Sequence, residues 1–179
     1  MRVITGSAKG KKLEAPKGLA TRPTTDRVKE SIFNIIQTKL PAENVLDLFA
    51  GSGAMGIEAL SRGSKKAVFV DSDKFAVSVI KRNLDAARLS HCSSVINSTA
   101  EIYLNGCQEK FDIIFLDPPY NHDFLDDIID KIILLNILTD NGIIVVESEY
   151  GGETVSIQTV ECVKSAKYGK TCVSVFKRT

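Results

Sequence analysis

The run Phe111-Asp-Ile-Ile-Phe-Leu116 leads directly into Asp117-Pro118-Pro119-Tyr120. Two consecutive prolines hold the chain extended and remove two amide donors, so nearby carbonyl oxygens find no helix or sheet bond of their own. A rigid turn of this kind presents acceptors. An exocyclic NH₂ group of a nucleobase needs that arrangement, because the Asp117 carboxylate and the Pro118 carbonyl can each take one N–H and aim the nitrogen lone pair. Tyr120 offers a face on which the base can stack. The chemistry that suits these residues is in-line transfer of a methyl group to nitrogen, with no metal and no covalent enzyme intermediate. A simple strand-stopping turn is the other reading of the tetrapeptide alone.

A second constellation lies upstream. The run Val45–Phe49 enters Ala50-Gly51-Ser52-Gly53-Ala54-Met55-Gly56 and then the helix-forming Ile57–Arg62, a Gly-x-Gly-x-x-Gly pattern between strand and helix. Glycines there let the backbone turn tightly and approach a ligand, while the helix start offers free amides. Asp71, at the end of the next apolar run, stands where a carboxylate can accept ribose hydroxyls. Taken alone, this pattern fits a nicotinamide-dinucleotide site equally well. Asp47 favours another ligand: a carboxylate four residues before Gly51 repels a pyrophosphate and welcomes a cation. S-adenosylmethionine carries a sulfonium and an ammonium and no phosphate. A purely structural role for Asp47, capping the loop amides, is the other reading of the same residue.

Positioning these residues requires a particular framework. The chain has 179 residues, 44% hydrophobic and 25% charged, which suits one domain over 1–179, with a basic extension and packing helix in 1–40 and a catalytic core in 41–179. Val45–Phe49, Ala67–Asp71, Ser94–Ile96, Phe111–Leu116 and Ile143–Val146 are short apolar runs that read as buried parallel strands. Between them, Ala76, Val79, Ile80, Leu84 and Ala87 recur at helical spacing behind Ser72 and Asp73, which can cap, and Leu125, Ile128, Ile129, Ile132 and Leu135 do likewise. Pro23-Thr-Thr25 can start a helix with the stripe Val28, Ile32, Ile35 and Ile36, and residues 1–22 suggest a strand or hairpin followed by a loop. Two further β-type runs, Thr154–Val160 and Thr171–Phe176, flank an expected loop Lys164–Lys170. The fold class is therefore α/β: a doubly wound, mostly parallel seven-stranded sheet with an antiparallel C-terminal strand.

Charge is unevenly spread. Residues 1–40 carry +6, residues 41–163 carry −10 and residues 164–179 carry +5, which together give the net +1. Basic ends beside an acidic middle suit a polyanion held on one face, or a solvated basic tail. Cys92, Cys107, Cys162 and Cys172 show no Cys-x-x-Cys spacing, so reduced, mostly packing cysteines are expected and no metal site is signalled. No apolar run reaches the roughly 18 residues of a membrane span, and the expectation is a cytoplasmic chain with no membrane partner.

Together these residues resemble the class I S-adenosylmethionine-dependent methyltransferases. Met1-Arg-Val-Ile-Thr-Gly6, Lys9-Gly-Lys-Lys-Leu13, Arg22-Pro-Thr-Thr-Asp-Arg-Val-Lys-Glu-Ser-Ile-Phe-Asn34, Val45–Gly63 and Phe111–Tyr120 are similar to the RsmD family across essentially the whole chain. The resemblance implies a Rossmann-like methyltransferase sheet and transfer of a methyl group to N2 of a guanine in bacterial 16S ribosomal RNA, leaving S-adenosylhomocysteine. By position it implies a cofactor pocket of Asp47, Leu48, Phe49, Gly51, Ser52, Gly53 and Ser72, with Asp71 at the ribose and Thr99 and Ala100 beside adenine. Thr99 stands where other members often have Asp or Asn. Thr24 and Arg27 are implied to close over the cofactor or touch RNA, and Asp117 to Tyr120 to handle the base. Arg2, Lys9, Lys11, Lys12, Arg22 and Arg27, with Tyr168 and Lys170 as a second edge, are candidates for RNA contact. The implied partner is 16S rRNA or a 30S particle, bound by a monomer. Rival readings are an amino-methyltransferase acting on DNA adenine, DNA cytosine or a protein glutamine, a non-catalytic RNA-binding assembly factor, and an NAD oxidoreductase.

Overall fold

A computed structural model describes residues 1–16, 26–118, 122–149 and 158–179. Strands β1 (Asn44–Asp47), β2 (Lys66–Asp71), β3 (Ser93–Asn97), β4 (Phe111–Leu116), β5 (Leu138–Glu149), β6 (Val160–Tyr168) and β7 (Thr171–Arg178) form one sheet in the order β3-β2-β1-β4-β5-β7-β6. The pairs β1–β2, β1–β4, β2–β3 and β4–β5 are parallel, and β7 runs antiparallel to both β5 and β6. The expected seven strands with one antiparallel C-terminal strand are present. The chain starts in the centre at β1, winds outward to β3, then crosses back to β4. That reversal leaves a crevice at the carboxyl ends of β1 and β4, where open α/β sheets bind ligands.

Alternation along the central strands divides the core. Val45, Phe69, Ile113 and Phe115 face one cluster, and Leu46, Val68, Ile114 and Leu116 face the other. Helices α1 (Asp26–Ile35), α2 (Ala54–Ser61) and α3 (Lys74–Ala87) cover the first side, and α4 (Ala100–Gly106) and α5 (His122–Leu134) the second. Burial on both faces explains why the central strands read as continuous apolar runs. Asp73 caps α3 as expected, its side chain accepting from the Phe75 amide at 2.8 Å. On α5, Leu125, Ile128, Ile129 and Ile132 are buried, but Leu135 falls beyond the helix and is 44% exposed.

The N-terminal segment forms the expected hairpin, with an antiparallel bridge between Arg2 and Lys12. It lies on α2, where the Ser7 amide donates to the Ser61 carbonyl at 2.8 Å. A buried ion pair ties α1 to α2: Lys29 Nζ lies 3.1 Å from Glu58 Oε2, and neither side chain touches solvent. Glu58 also accepts the Ile4 and Thr5 amides and the Arg62 guanidinium. These donors spread the buried negative charge, although burial still pushes the Lys29 pKa down, more than the Glu58 charge raises it.

Two further expectations need correction. Lys164–Tyr168 is not a loop: β6 continues to Tyr168, and the turn is Gly169-Lys170. As an edge strand β6 is mostly exposed, so it lacks the apolar alternation that marks a strand, and its Lys164 and Lys167 suit the outer edge of a sheet. The cysteines are free, and Cys92 and Cys107 pack half-buried against the core as expected; Cys172 is half-buried, but Cys162 is exposed and is not a packing residue. The Thr154–Ile157 part of the expected strand lies outside the described residues, as does the Pro23–Thr25 helix start. Among the described residues no helix is long and apolar enough to cross a membrane.

Candidate active site

The glycine loop follows β1 at the centre of the crevice. Gly51 and Gly53 adopt φ of +53° and +76°, the left-handed region, which L residues enter at a cost. A Cβ at Gly51 would meet nothing within 4 Å, so the loop borders open space on that side. Two carboxylates hold it from beneath. Asp47 Oδ2 accepts the Gly56 amide at 3.0 Å, and Asp71 Oδ2 accepts the Gly51 amide at 2.8 Å while its Oδ1 takes the Asp73 amide at 2.9 Å. The loop-capping role of Asp47 is thus real, yet its other oxygen accepts no hydrogen bond from the described residues. Burial pushes the Asp47 pKa up to about 7, and the charge of Asp71 adds to the rise.

Across the crevice, Asp117 and Pro118 follow β4, next to β1 in the sheet. Asp117 is exposed at the rim, but the surrounding protein displaces enough water to raise its pKa to about 7, with the charges of Glu147 and Asp47 adding to the effect. Negative charge therefore gathers from β1, β2, β4 and β5, whose carboxyl ends meet here. A phosphate-bearing ligand would be repelled, and a cationic one attracted. This donor set fits S-adenosylmethionine. Pro119 and Tyr120 lie outside the described residues.

The remaining expected cofactor residues occupy diverse positions. Leu48 is buried in the core and its amide pairs with the Phe115 carbonyl at 3.1 Å. Phe49 is half-buried and meets Phe124 edge-on, with ring centroids 6.0 Å apart. Ser52 is half-buried and Ser72 exposed. Thr99 caps α4 by accepting the Ile102 amide at 3.3 Å, with Ala100 buried behind it. Thr24 lies outside the described residues.

Of the basic candidates, Lys9, Lys11, Lys12, Arg27 and Lys170 are exposed. Arg2 forms an exposed ion pair with Asp26 at 3.1 Å, a contact weak enough to exchange for phosphate. Arg2, Lys12 and Arg27 share one edge, because the hairpin bridge and the Arg2–Asp26 pair bring it against the start of α1. Tyr168 is half-buried and packs on the core side that α1 covers, so its ring is partly a packing group. Arg22 lies outside the described residues.

Sequence reasoning missed Glu147, an acid at the carboxyl end of β5, which could have been found by extending the apolar run Ile143–Val146 by one residue. It also missed Asn83. This buried side chain donates to the Ser52 carbonyl at 2.8 Å and the Glu14 carbonyl at 3.0 Å, and accepts the Glu14 amide at 2.8 Å. A polar residue at an otherwise apolar helix position was the available signal.

Comparison with known proteins agrees with this geometry. The family model described as conserved hypothetical protein 95 matches residues 1–177. The chain is 41% identical to YlbH of Bacillus subtilis over 182 residues, covering 99% of both chains. It is 38% identical to the ribosomal RNA small subunit methyltransferase D of Haemophilus influenzae over 152 residues, covering 83% of this chain and 79% of that one. The solved structure of yhhF from Escherichia coli superposes with a TM-score of 0.87 at 34% identity, covering 99% of this chain and 97% of that one. A match from end to end in sequence and fold places the chain in the conserved hypothetical protein 95 family, the RsmD family that its motifs resemble.

Proposed function

We propose that the chain transfers a methyl group from S-adenosylmethionine to the exocyclic N2 amino group of a guanine in 16S ribosomal RNA, as a cytoplasmic monomer formed by one domain over 1–179. The observation that carries this reading is the placement of Asp117 and Pro118 beside the Asp47-buttressed glycine loop, across the reversal point between β1 and β4. The names of the relatives support an rRNA substrate. When bound, the cofactor supplies a methyl group on a positively charged sulfur. Asp47 and Asp71 hold the loop that borders it, and the Asp47 carboxylate favours its charge. Asp117 and the Pro118 carbonyl each accept a hydrogen bond from one N2–H and direct the nitrogen toward the methyl carbon, while Tyr120 stacks on the base. As the new C–N bond forms, the methyl–sulfur bond breaks and its electrons stay on sulfur. N2 then loses one proton, for which Asp117, with its pKa raised to about 7, is a competent acceptor. The guanine must be unpaired or flipped out to reach Asp117. Arg2, Lys9, Lys11, Lys12, Arg22 and Arg27 position the RNA backbone without choosing the base.

The test is transfer of radiolabelled methyl to unmodified 16S RNA and to 30S particles, with nucleoside analysis and an Asp117→Ala control. N2-methylguanosine from the intact protein, with Asp117→Ala binding cofactor but transferring no label, is the expected result. Label on DNA or protein alone would replace the substrate, and full activity of Asp117→Ala would remove its assigned role.

A further inference from the structure

A second concave feature lies at the opposite pole of the sheet, where β2 and β3 begin. It is a cavity of about 480 Å³ whose lining includes Ser7, Lys65, Arg88 and His91 over a floor of Leu60 and Leu89. It lies at the far end of α2 from the glycine loop, and at 1.5 Å per residue the eight residues of that helix span about 12 Å. No part of the proposed methyl transfer uses it.

Arg88 is the informative residue. It terminates α3 in the left-handed conformation, φ +60° and ψ +36°, with its amide donating back to Asp85. This helix-end position is one that glycine fills most readily, since any Cβ there is disfavoured. The Arg88 guanidinium makes no hydrogen bond or ion pair with the described residues, and the same holds for the His91 ring. Of the lining cations, Lys65 is paired with Glu43 at 2.8 Å, and the nearby Asp85 carboxylate accepts the Ser90 hydroxyl. The cavity therefore offers two unspent donor groups, the Arg88 guanidinium and the His91 ring, and Arg88 is its one lining cation without an acidic partner among the described residues.

The cavity is continuous with the basic N-terminal segment. Ser7 belongs to the hairpin that displays Lys9, Lys11 and Lys12, and the same segment ends at Glu14, clamped by Asn83 beside Ser52 of the glycine loop. One strip of chain thus runs from the remote cavity to the cofactor loop, carrying lysines between them. We infer that the Arg88–His91 cavity is a phosphate subsite that holds the RNA backbone several nucleotides from the target guanine. This rests on the RNA reading of the proposed function. An extended polyanion is favoured over a small anion because the lining residue Ser7 belongs to the same hairpin as the exposed Lys9, Lys11 and Lys12.

The test compares wild type with Arg88→Gly and with Arg88→Gly/His91→Ala. Glycine suits the backbone at position 88, so loss of the cation comes without loss of the fold. Affinity for 16S RNA is measured by fluorescence anisotropy from roughly 50 to 200 mM salt, beside methyl-transfer kinetics, cofactor affinity and Tm. The double variant is expected to bind RNA about five- to tenfold more weakly at about 100 mM salt. Its dependence of log Kd on log salt should be shallower by about 0.7 for each phosphate that is no longer neutralised. KM for RNA rises while kcat, cofactor affinity and Tm hold, with Tm for Arg88→Gly equal or higher. Unchanged RNA affinity and salt slope in a wild-type background that methylates RNA would overturn the subsite alone. So would a fall in Tm parallel to the fall in affinity, or stabilisation of wild type by inorganic phosphate that Arg88→Gly loses without any change in RNA binding. A wild-type protein that neither binds nor methylates RNA would overturn the proposed function together with the subsite.

Discussion

The Asn83 side-chain amide donates to the Ser52 carbonyl at 2.8 Å, so a residue in the middle of α3 fixes the tip of the glycine loop. The same amide group clamps the Glu14 backbone through its donor and its acceptor, so loop geometry depends on the docked N-terminal segment. Asn83→Ala leaves the Ser52 carbonyl and both Glu14 backbone groups without this partner. The expected result is a stability loss of about 2 kcal/mol with cofactor affinity reduced about tenfold, checked by thermal melting and calorimetric titration.

Cofactor binding should be proton-linked through Asp47. With its pKa raised from 3.8 to about 7, the carboxyl is protonated in the folded, ligand-free protein below neutrality, whereas a cationic ligand favours the ionised form. Affinity for S-adenosylmethionine therefore rises with pH up to about 7 and then levels off, with proton release on binding at pH 6. Stability of the ligand-free protein moves the other way. The folded state keeps a proton that the unfolded chain has lost, so this contribution is full below about pH 4, shrinks as pH rises to about 7, and is gone above it. Titrations in buffers of different ionisation enthalpy check the first trend, and the difference in Tm between wild type and Asp47→Asn across pH 4.5–7.5 checks the second.

Breaking the Lys29–Glu58 pair has a predictable cost. Lys29→Ala leaves Glu58 buried with Arg62 and two amides as its remaining partners, and the expected destabilisation is about 3 kcal/mol. At about 2–4 °C per kcal/mol for a chain of this size, Tm falls by roughly 6–12 °C. Lys29→Met, which fills the space without a charge, is expected to fall as far or nearly so, because Glu58 loses the same partner. A change below 1 °C in either would contradict the assignment.

Two glycines separate packing from binding. A Cβ at Gly56 would lie 2.3 Å from Phe69 Cε1, so Gly56→Ala should cost about 1–3 kcal/mol of stability, with Phe69→Leu restoring part of it. A Cβ at Gly51 meets only open space, so Gly51→Ala should lose about 1 kcal/mol from its left-handed backbone. Its cofactor Kd should rise more than tenfold, because the added methyl enters the ligand's side of the loop. Paired Tm and titration measurements distinguish the two.

The sequence determined what depends on local pattern. Central strands buried on both faces must be continuously apolar, so Val45–Phe49, Ala67–Asp71 and Phe111–Leu116 were legible within a residue or two of β1, β2 and β4, and with them the positions of Asp47, Asp71 and Asp117 at the strand ends. β6 was misplaced because an edge strand exposes most of its side chains, and α4 was overlooked because seven residues are too few to establish a helical period. Tertiary structure alone decided which distant groups meet. Asn83 with Ser52, Lys29 with Glu58, and Glu147 with Asp117 are separated in the chain and joined by the packing of helices and strands. Their energies come from burial and charge at close range, which no spacing in the sequence encodes.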